Sequence, residues 1–170
     1  MPTIRPAHIR DIPAITDIYN EAGVGTTASY ALEPVSVDDR QAWFERLTAA
    51  NYPVLVMEDA DGLIVGYASY FQFRALEGYK HTVEHSVYIR DGHRAAGAGR
   101  MLMTALIDYA RGRGVHVMVG VVDGANDASI SFHERLGFQV AGRLEQVGRK
   151  FGRWLDVVFV TLSFEGNEPH

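Results

Sequence analysis

The sequence predicts one domain of mixed α and β structure, with antiparallel hairpins around a central crossover. Three observations carry that expectation. Val54 to Glu58 and Leu63 to Phe71 flank the turn Asp59-Ala60-Asp61-Gly62, which is a hairpin pattern. A glycine-rich stretch, His93 to Gly99, separates a strand-like run from an amphipathic one. Val115 to Val122 is then almost continuously apolar, as a buried central strand requires.

The elements follow in order. Thr3 to Arg5 reads as a short first strand. Asp11 can cap a helix that carries Ile12, Ile15, Ile18 and Tyr19 on one face. Ala22 to Val35 is small, polar and glycine-containing, and is long enough to be a binding loop. Ser36, with Asp39 three residues on, forms a variant capping box for a helix with Trp43, Phe44 and Leu47 at helical spacing. The hairpin comes next, then a loop from Arg74 to Lys80, then a strand from Thr82 to Ile89. After the glycine-rich turn, a helix places Met101, Leu102, Ala105, Leu106 and Tyr109 on one side and ends at Gly112 and Gly114. Ala125 to Leu136 reads as a last helix, and Gln139 to Val147 and Trp154 to Phe164 as closing strands. The count is seven strands and four helices, mostly antiparallel with a crossover at the centre.

Composition narrows the function classes. A chain of 170 residues, 47% hydrophobic and 22% charged, supports one domain spanning 1–170 with a real core. No apolar run is long enough to span a bilayer, and Met1-Pro2-Thr3-Ile4-Arg5 contains no apolar signal core, so no membrane partner is expected. With no cysteine there is no disulfide framework, thiolate nucleophile or cysteine metal site, which fits a cytoplasmic protein. A net charge of −5 argues against general attraction to nucleic acid.

The glycine-rich turn is an anion seat by construction. The first amides of the following helix have no intrahelical acceptor and sit at the positive end of its dipole. Gly97 and Gly99 let a phosphate approach, and Arg94 and Arg100 add charge. The string is not a P-loop, because Gly99 is followed by Arg100-Met101 rather than Lys-Ser/Thr. It is not a dinucleotide fingerprint either, since it lies mid-chain with different spacing. On its own it reads as well as an ordinary glycine-rich turn.

Its context resembles a known family. Arg94-x-x-Gly97-x-Gly99 resembles the coenzyme A pyrophosphate motif of the GNAT acetyltransferases. Asn126-x-x-Ser129-x-x-x-His133-x-x-x-Gly137-Phe138 resembles the next motif of that superfamily, with His133 where tyrosine is usual. Glu84-His85-Ser86 and Phe151-Gly152-Arg153-Trp154-Leu155-Asp156 are similar to the phosphinothricin acetyltransferase family, particularly its methionine sulfoximine and methionine sulfone members. The resemblance implies the GNAT fold and acetyl-CoA as co-substrate. It implies coenzyme contacts at Val87, Tyr88, Ile89, Arg94, Ala95, Ala96, Gly97, Ala98, Gly99, Arg100, Asn126 and Ser129, transfer to the α-amino group of a small amino acid, a role in detoxification, and a homodimer. Acetylation of another small amine or a protein N-terminus, or a coenzyme A sensor without turnover, are the alternatives.

An amine nucleophile must lose a proton as it attacks, so the reaction needs a base. Glu84 interrupts an apolar strand just before the turn. From the residues alone it reads first as a strand-edge carboxylate paired with a surface Lys or Arg; the resemblance reverses that order and assigns it the base. The same resemblance places His133 at the general-acid position, either as a proton donor or as a helix-surface residue touching only coenzyme A. Arg74 offers a guanidinium fork to a substrate carboxylate, near Phe73, Glu77 and Tyr79, with Tyr30 closing the pocket from the first loop. Plain packing is the other reading of each aromatic. His81 and His85 share a strand face but lack a third ligand, so no metal site is expected. Trp154 and Asp156 are expected to pack the fold or a subunit contact.

Overall fold

A computed structural model of the chain describes residues 1–165. The elements are β1 (Thr3–Pro6), α1 (Ile12–Ile18), α2 (Val37–Ala49), β2 (Val54–Glu58), β3 (Ile64–Gln72), β4 (Thr82–Ile89), α3 (Ala98–Arg111), β5 (Val117–Asp123), α4 (Asp127–Arg135), β6 (Gln139–Lys150) and β7 (Arg153–Ser163). The strands follow the order β1-β2-β3-β4-β5-β7-β6 in a seven-stranded sheet. β1–β2, β2–β3, β5–β7 and β6–β7 pair antiparallel, and β4–β5 pair parallel. This is the mixed α/β architecture with four helices expected from the residue pattern.

The chain forms two compact units, one of residues 1–70 and 86–107, the other of residues 71–85 and 108–165. In the first, Ile12, Ile15, Ile18, Phe44, Leu47, Val56 and Tyr67 form the core. Arg40 stands among the aromatics: its Cζ lies 3.9 Å from the Tyr19 ring centroid and 4.1 Å from that of Trp43, and Nη2 donates to Tyr67 Oη at 2.7 Å. Arg5 ties β1 to its surroundings through Asp11 (2.7 and 3.0 Å) and Glu58 (2.9 and 3.0 Å). Asp11 therefore does not cap α1 with its side chain as expected. Its carboxylate accepts from Arg5 and from the His8 amide at 2.7 Å instead.

Two further local readings shift. The helix from Ile12 continues as a π-helical turn, Tyr19–Val24, through residues expected to be loop. The buried face of α3 is Leu102, Met103, Leu106, Ile107 and Ala110; Met101 is exposed. A face centred one residue further along keeps two rows of side chains on the core. The Ser36–Asp39 capping box forms as expected.

In the second unit β5 pairs with β7 over the whole register from Val117↔Ser163 to Asp123↔Val157, and is buried except at its half-buried start, Val117, and at exposed Val121. The β6–β7 hairpin is longer than expected because a bulge, not a strand end, interrupts its alternation: register slips between Leu144 and Gly148, where Gln146 has φ 53°. Asp156 pins this bulge, accepting from Arg143 Nη1 and the Gln146 amide, each at 2.8 Å, while Arg143 Nη2 donates to Gly124 O at 2.9 Å. Asp156 thus packs the fold. Trp154 does not, being 59% exposed.

Arg5→Met leaves Asp11 buried without its cation. It should destabilise the chain by about 1–3 kcal/mol, as a lower denaturant midpoint at unchanged slope. Arg5 holds the Asp11 carboxyl below its ordinary range, so this stabilisation is present above the unfolded pKa and lost as pH falls below it. The deficit of the variant should be largest at neutral pH and shrink in acid.

Candidate active site

In the first unit, β4 ends at Ile89 and the chain turns through a 3-10 segment, Arg94–Ala96, to Gly97 and α3. Gly97 has φ 75°, a left-handed conformation that costs other residues energy, and a Cβ there would meet nothing within 4 Å. The glycine is needed for the bend rather than for crowding. Arg94, Ala95, Ala96, Gly97 and Arg100 are exposed and Gly99 half-buried, so the seat lies open. Ala98 is buried, leaving its backbone as the part that can meet an anion. Met101 N donates to Gly97 O at 3.0 Å, which starts the helical ladder. The amides of Ala98, Gly99 and Arg100 precede that ladder, as the first amides of a helix do. An open turn with left-handed glycine, two arginines and first-turn amides fits a diphosphate.

The residues just before the turn divide their work. Tyr88 sends its ring into the aromatic cluster, 5.4 Å from Tyr19 and 5.5 Å from Tyr67, and Ile89 is buried. What Val87 to Ile89 can offer a ligand is therefore chiefly backbone. Tyr30, half-buried, sits on a loop whose ends are clamped. Asn20 exchanges two hydrogen bonds of 2.9 Å with the Val35 backbone, and Tyr19 Oη lies 3.0 Å from Ser29 Oγ.

The second unit holds Glu84, Arg74, Phe73, Glu77, Tyr79, Asn126, Ser129 and His133. The β4–β5 ladder covers Thr82↔Val117, Val83↔Met118 and Glu84↔Val119, so Glu84 closes it while both strands run on. Glu84 is half-buried. Burial pushes its carboxyl above the ordinary range, and the Arg74 charge opposes that rise. A carboxyl so placed takes a proton more readily than one in water and is not locked in an ion pair among the described residues. Arg74 is exposed, with Cζ 4.9 Å from the Phe73 ring centroid, and Phe73 meets Tyr79 edge-on at 6.2 Å. Gln72 Nε2 holds this loop by donating to Arg74 O and Leu76 O at 2.6 and 2.9 Å. Glu77 and Tyr79 lie in a short, exposed 3-10 turn.

Asn126 is the N-cap of α4 rather than a residue inside the helix: Oδ1 accepts from the Ser129 amide at 3.0 Å. His133 is not on the helix surface. It is 4% exposed, its Nδ1 lies 2.7 Å from Ser129 O, and its Nε2 lies 3.2 Å from His85 Nε2. Both ring nitrogens are engaged and burial lowers its proton affinity, so this arrangement gives His133 no spare proton for a leaving group. The partnership with His85 was not legible in the sequence, where the two are 48 residues apart. Its one local signal was a histidine between Glu84 and Ser86 in a strand that also carries Val83, Val87 and Ile89. Among the described residues no three histidine, aspartate or glutamate side chains group to hold a metal ion, and no helix is long and apolar enough to cross a membrane.

Comparison with known proteins adds to this geometry. Residues 4–159 match the acetyltransferase (GNAT) domain family. The chain is 49% identical over 163 residues to an L-methionine sulfoximine/L-methionine sulfone acetyltransferase of Pseudomonas paraeruginosa, covering 96% of this chain and 95% of the relative. A solved acetyltransferase of Salmonella typhimurium with its cofactor acetyl-CoA is 45% identical with a TM-score of 0.95, covering 100% of this chain and 98% of that one. A phosphinothricin acetyltransferase of Sinorhizobium meliloti in complex with acetyl-CoA is 34% identical with a TM-score of 0.93, covering 96% and 88%.

The buried histidines can be tested without any ligand. Burial and the neighbouring His133 push His85 down to about 3, and burial lowers His133 too. The unfolded chain therefore takes these protons first. Stability should be full above about pH 6.5 and fall as pH drops towards 3, by at most about 1.4 kcal/mol per pH unit for each group. Unfolding curves between pH 7 and 5 should show this loss in the wild type and a flatter profile in His85→Leu.

Proposed function

The chain belongs to the GNAT acetyltransferase domain family, and on that premise we propose that it transfers the acetyl group of acetyl-CoA to the α-amino group of a small amino acid such as L-methionine sulfoximine, methionine sulfone or phosphinothricin. The observation that carries this reading is Glu84: a half-buried carboxyl of raised proton affinity, with a guanidinium acting on it from Arg74. The names and bound acetyl-CoA of the relatives support the choice of substrates.

The chemistry follows from the residues. An amino acid binds with its carboxylate at Arg74 and its side chain along Phe73 and Tyr79 beside Glu77; Tyr30 of the first loop is a further candidate for acceptor binding. Its ammonium loses a proton to Glu84, directly or through water, as the nitrogen attacks the thioester carbon. The C–N bond forms, the negative charge on oxygen is met by backbone amides of Val87 to Ile89, and as the C–S bond breaks the nitrogen gives up its second proton, through water, to the departing thiolate. With no cysteine in the chain, no acyl-cysteine intermediate can form, and direct transfer in a ternary complex is the simple course. The departing thiolate is a moderate leaving group, since a thiol pKa is about 8.5, so a strong acid at His133 is not required. Arg94 to Arg100 hold the diphosphate, and Asn126 and Ser129 contact the coenzyme.

We read 1–170 as one acetyltransferase domain that works in the cytoplasm as a homodimer and inactivates toxic amino-acid analogues. Exposed apolar side chains on the β6–β7 hairpin, among them Val147 (55%), Phe151 (61%) and Trp154 (59%), support a partner copy. The absence of cysteine suits a reducing compartment.

Thiol release from acetyl-CoA with a panel of amines tests the activity. Methionine sulfoximine, methionine sulfone or phosphinothricin should give turnover, and tight acetyl-CoA binding with no release from any amine would overturn the reading. Glu84→Gln should lower kcat by about 10²–10⁴-fold while acetyl-CoA still binds. The rate should fall as pH drops through the raised Glu84 pKa. Arg74→Ala removes the charge that opposes this rise, so it should move the acid limb to higher pH as well as raise KM for the amino acid. An acid limb that stays put would show that Glu84 and Arg74 are not coupled.

A further inference from the structure

The ring of His85 is 7% exposed and lies against His133 at 5.1 Å between centroids and 21° between planes, with Phe138 edge-on to both. The tautomers can be read from the ends of the chain. Ser129 O is a carbonyl and can only accept, so His133 Nδ1 carries the hydrogen and donates to it at 2.7 Å. A neutral His133 then has a lone pair at Nε2. His85 must donate from its own Nε2, 3.2 Å away, which leaves the lone pair of His85 at Nδ1. That Nδ1 is buried and has no hydrogen-bond partner among the described residues.

This arrangement is not what stability would select. A buried acceptor without a partner costs free energy, and apolar residues of similar shape at both positions would remove the cost. The space is also built for the pair. A Cβ at Gly120 on β5 would lie 2.7 Å from His85 Nε2 and 3.5 Å from His133 Nε2, so a residue without a side chain is needed opposite them. Ser129 is thereby gripped at both ends, its amide by the Asn126 cap and its carbonyl by the His133 ring. The other end of the chain is His85, the residue next to Glu84 on β4.

We propose that His85 is a positioning residue, which as a neutral hydrogen-bond donor to His133 fixes the first turn of α4, with Ser129, to the strand that carries Glu84. The effect on the reaction rests on reading Asn126 and Ser129 as coenzyme contacts. His85 then couples Asn126 and Ser129 to the base without touching substrate. His133 is the relay of this strut rather than an acid.

The test pairs a spectroscopic and a binding readout on the full chain. In ¹⁵N NMR of the wild type at neutral pH, His133 should be protonated at Nδ1 and bare at Nε2, and His85 the reverse. Calorimetric titration with acetyl-CoA should show His85→Phe binding about three- to tenfold more weakly, the size of one neutral hydrogen bond. His85→Gln keeps a donor near the same place and should bind like the wild type. Equal affinity in the wild type and His85→Phe, or a proton on His133 Nε2, would overturn the proposal. If the wild type bound no acetyl-CoA, the coenzyme reading would fail, and the histidine tautomers would still decide whether the strut exists.

Discussion

A carboxyl that is to serve as a base near neutral pH must be partly withdrawn from water yet not locked to a cation. Glu84 meets both conditions. It sits half-buried at the last rung of the β4–β5 ladder, where burial raises its proton affinity and the Arg74 charge tempers the rise. Deeper burial would leave it permanently protonated, and a close ion pair with Arg74 would leave it a poor base. The sheet register sets that depth, because β4 is covered by β5 as far as Glu84 while its remaining residues continue towards the glycine-rich turn.

Much of the rest of the second unit holds that register and its surroundings in place. The His85–His133 pair ties β4 to α4, and the absence of a side chain at Gly120 makes room for it. Asp156 and Arg143 fasten the bulged β6–β7 hairpin to the turn that leads into α4. In the first unit, the Arg40 aromatic box holds Tyr19 and Trp43, and Tyr19 in turn packs edge-on against Tyr88. Polar groups are thus used at the joints between elements, while the interiors are built mainly from aliphatic and aromatic side chains.

The sequence showed most clearly what is local. Each strand and helix announced itself by period and by its flanking turn residues, and the phosphate turn was visible because its glycines, arginines and following helix are contiguous. Boundaries failed where a local signal had another cause. Gly23 and Gly25 looked like loop residues and belong to or end a π-helical turn. Gln146 with positive φ broke the alternation of β6 without ending it. Asp11 looked like a cap, but its carboxylate is occupied by Arg5. The site was less legible where it depends on distant pairings. His133 read as a surface or acid position because nothing near it in the chain reveals His85.

The proposed chemistry turns on the proton affinity of one carboxyl. Site-resolved ¹³C NMR titration of the Glu84 side-chain carboxyl, assigned by its loss in Glu84→Gln, measures it without substrate or coenzyme. The midpoint should lie clearly above the ordinary glutamate value of about 4.3. A midpoint at or below that value would contradict it, since a carboxylate so stabilised in its charged form would lack the proton affinity on which the proposed chemistry depends.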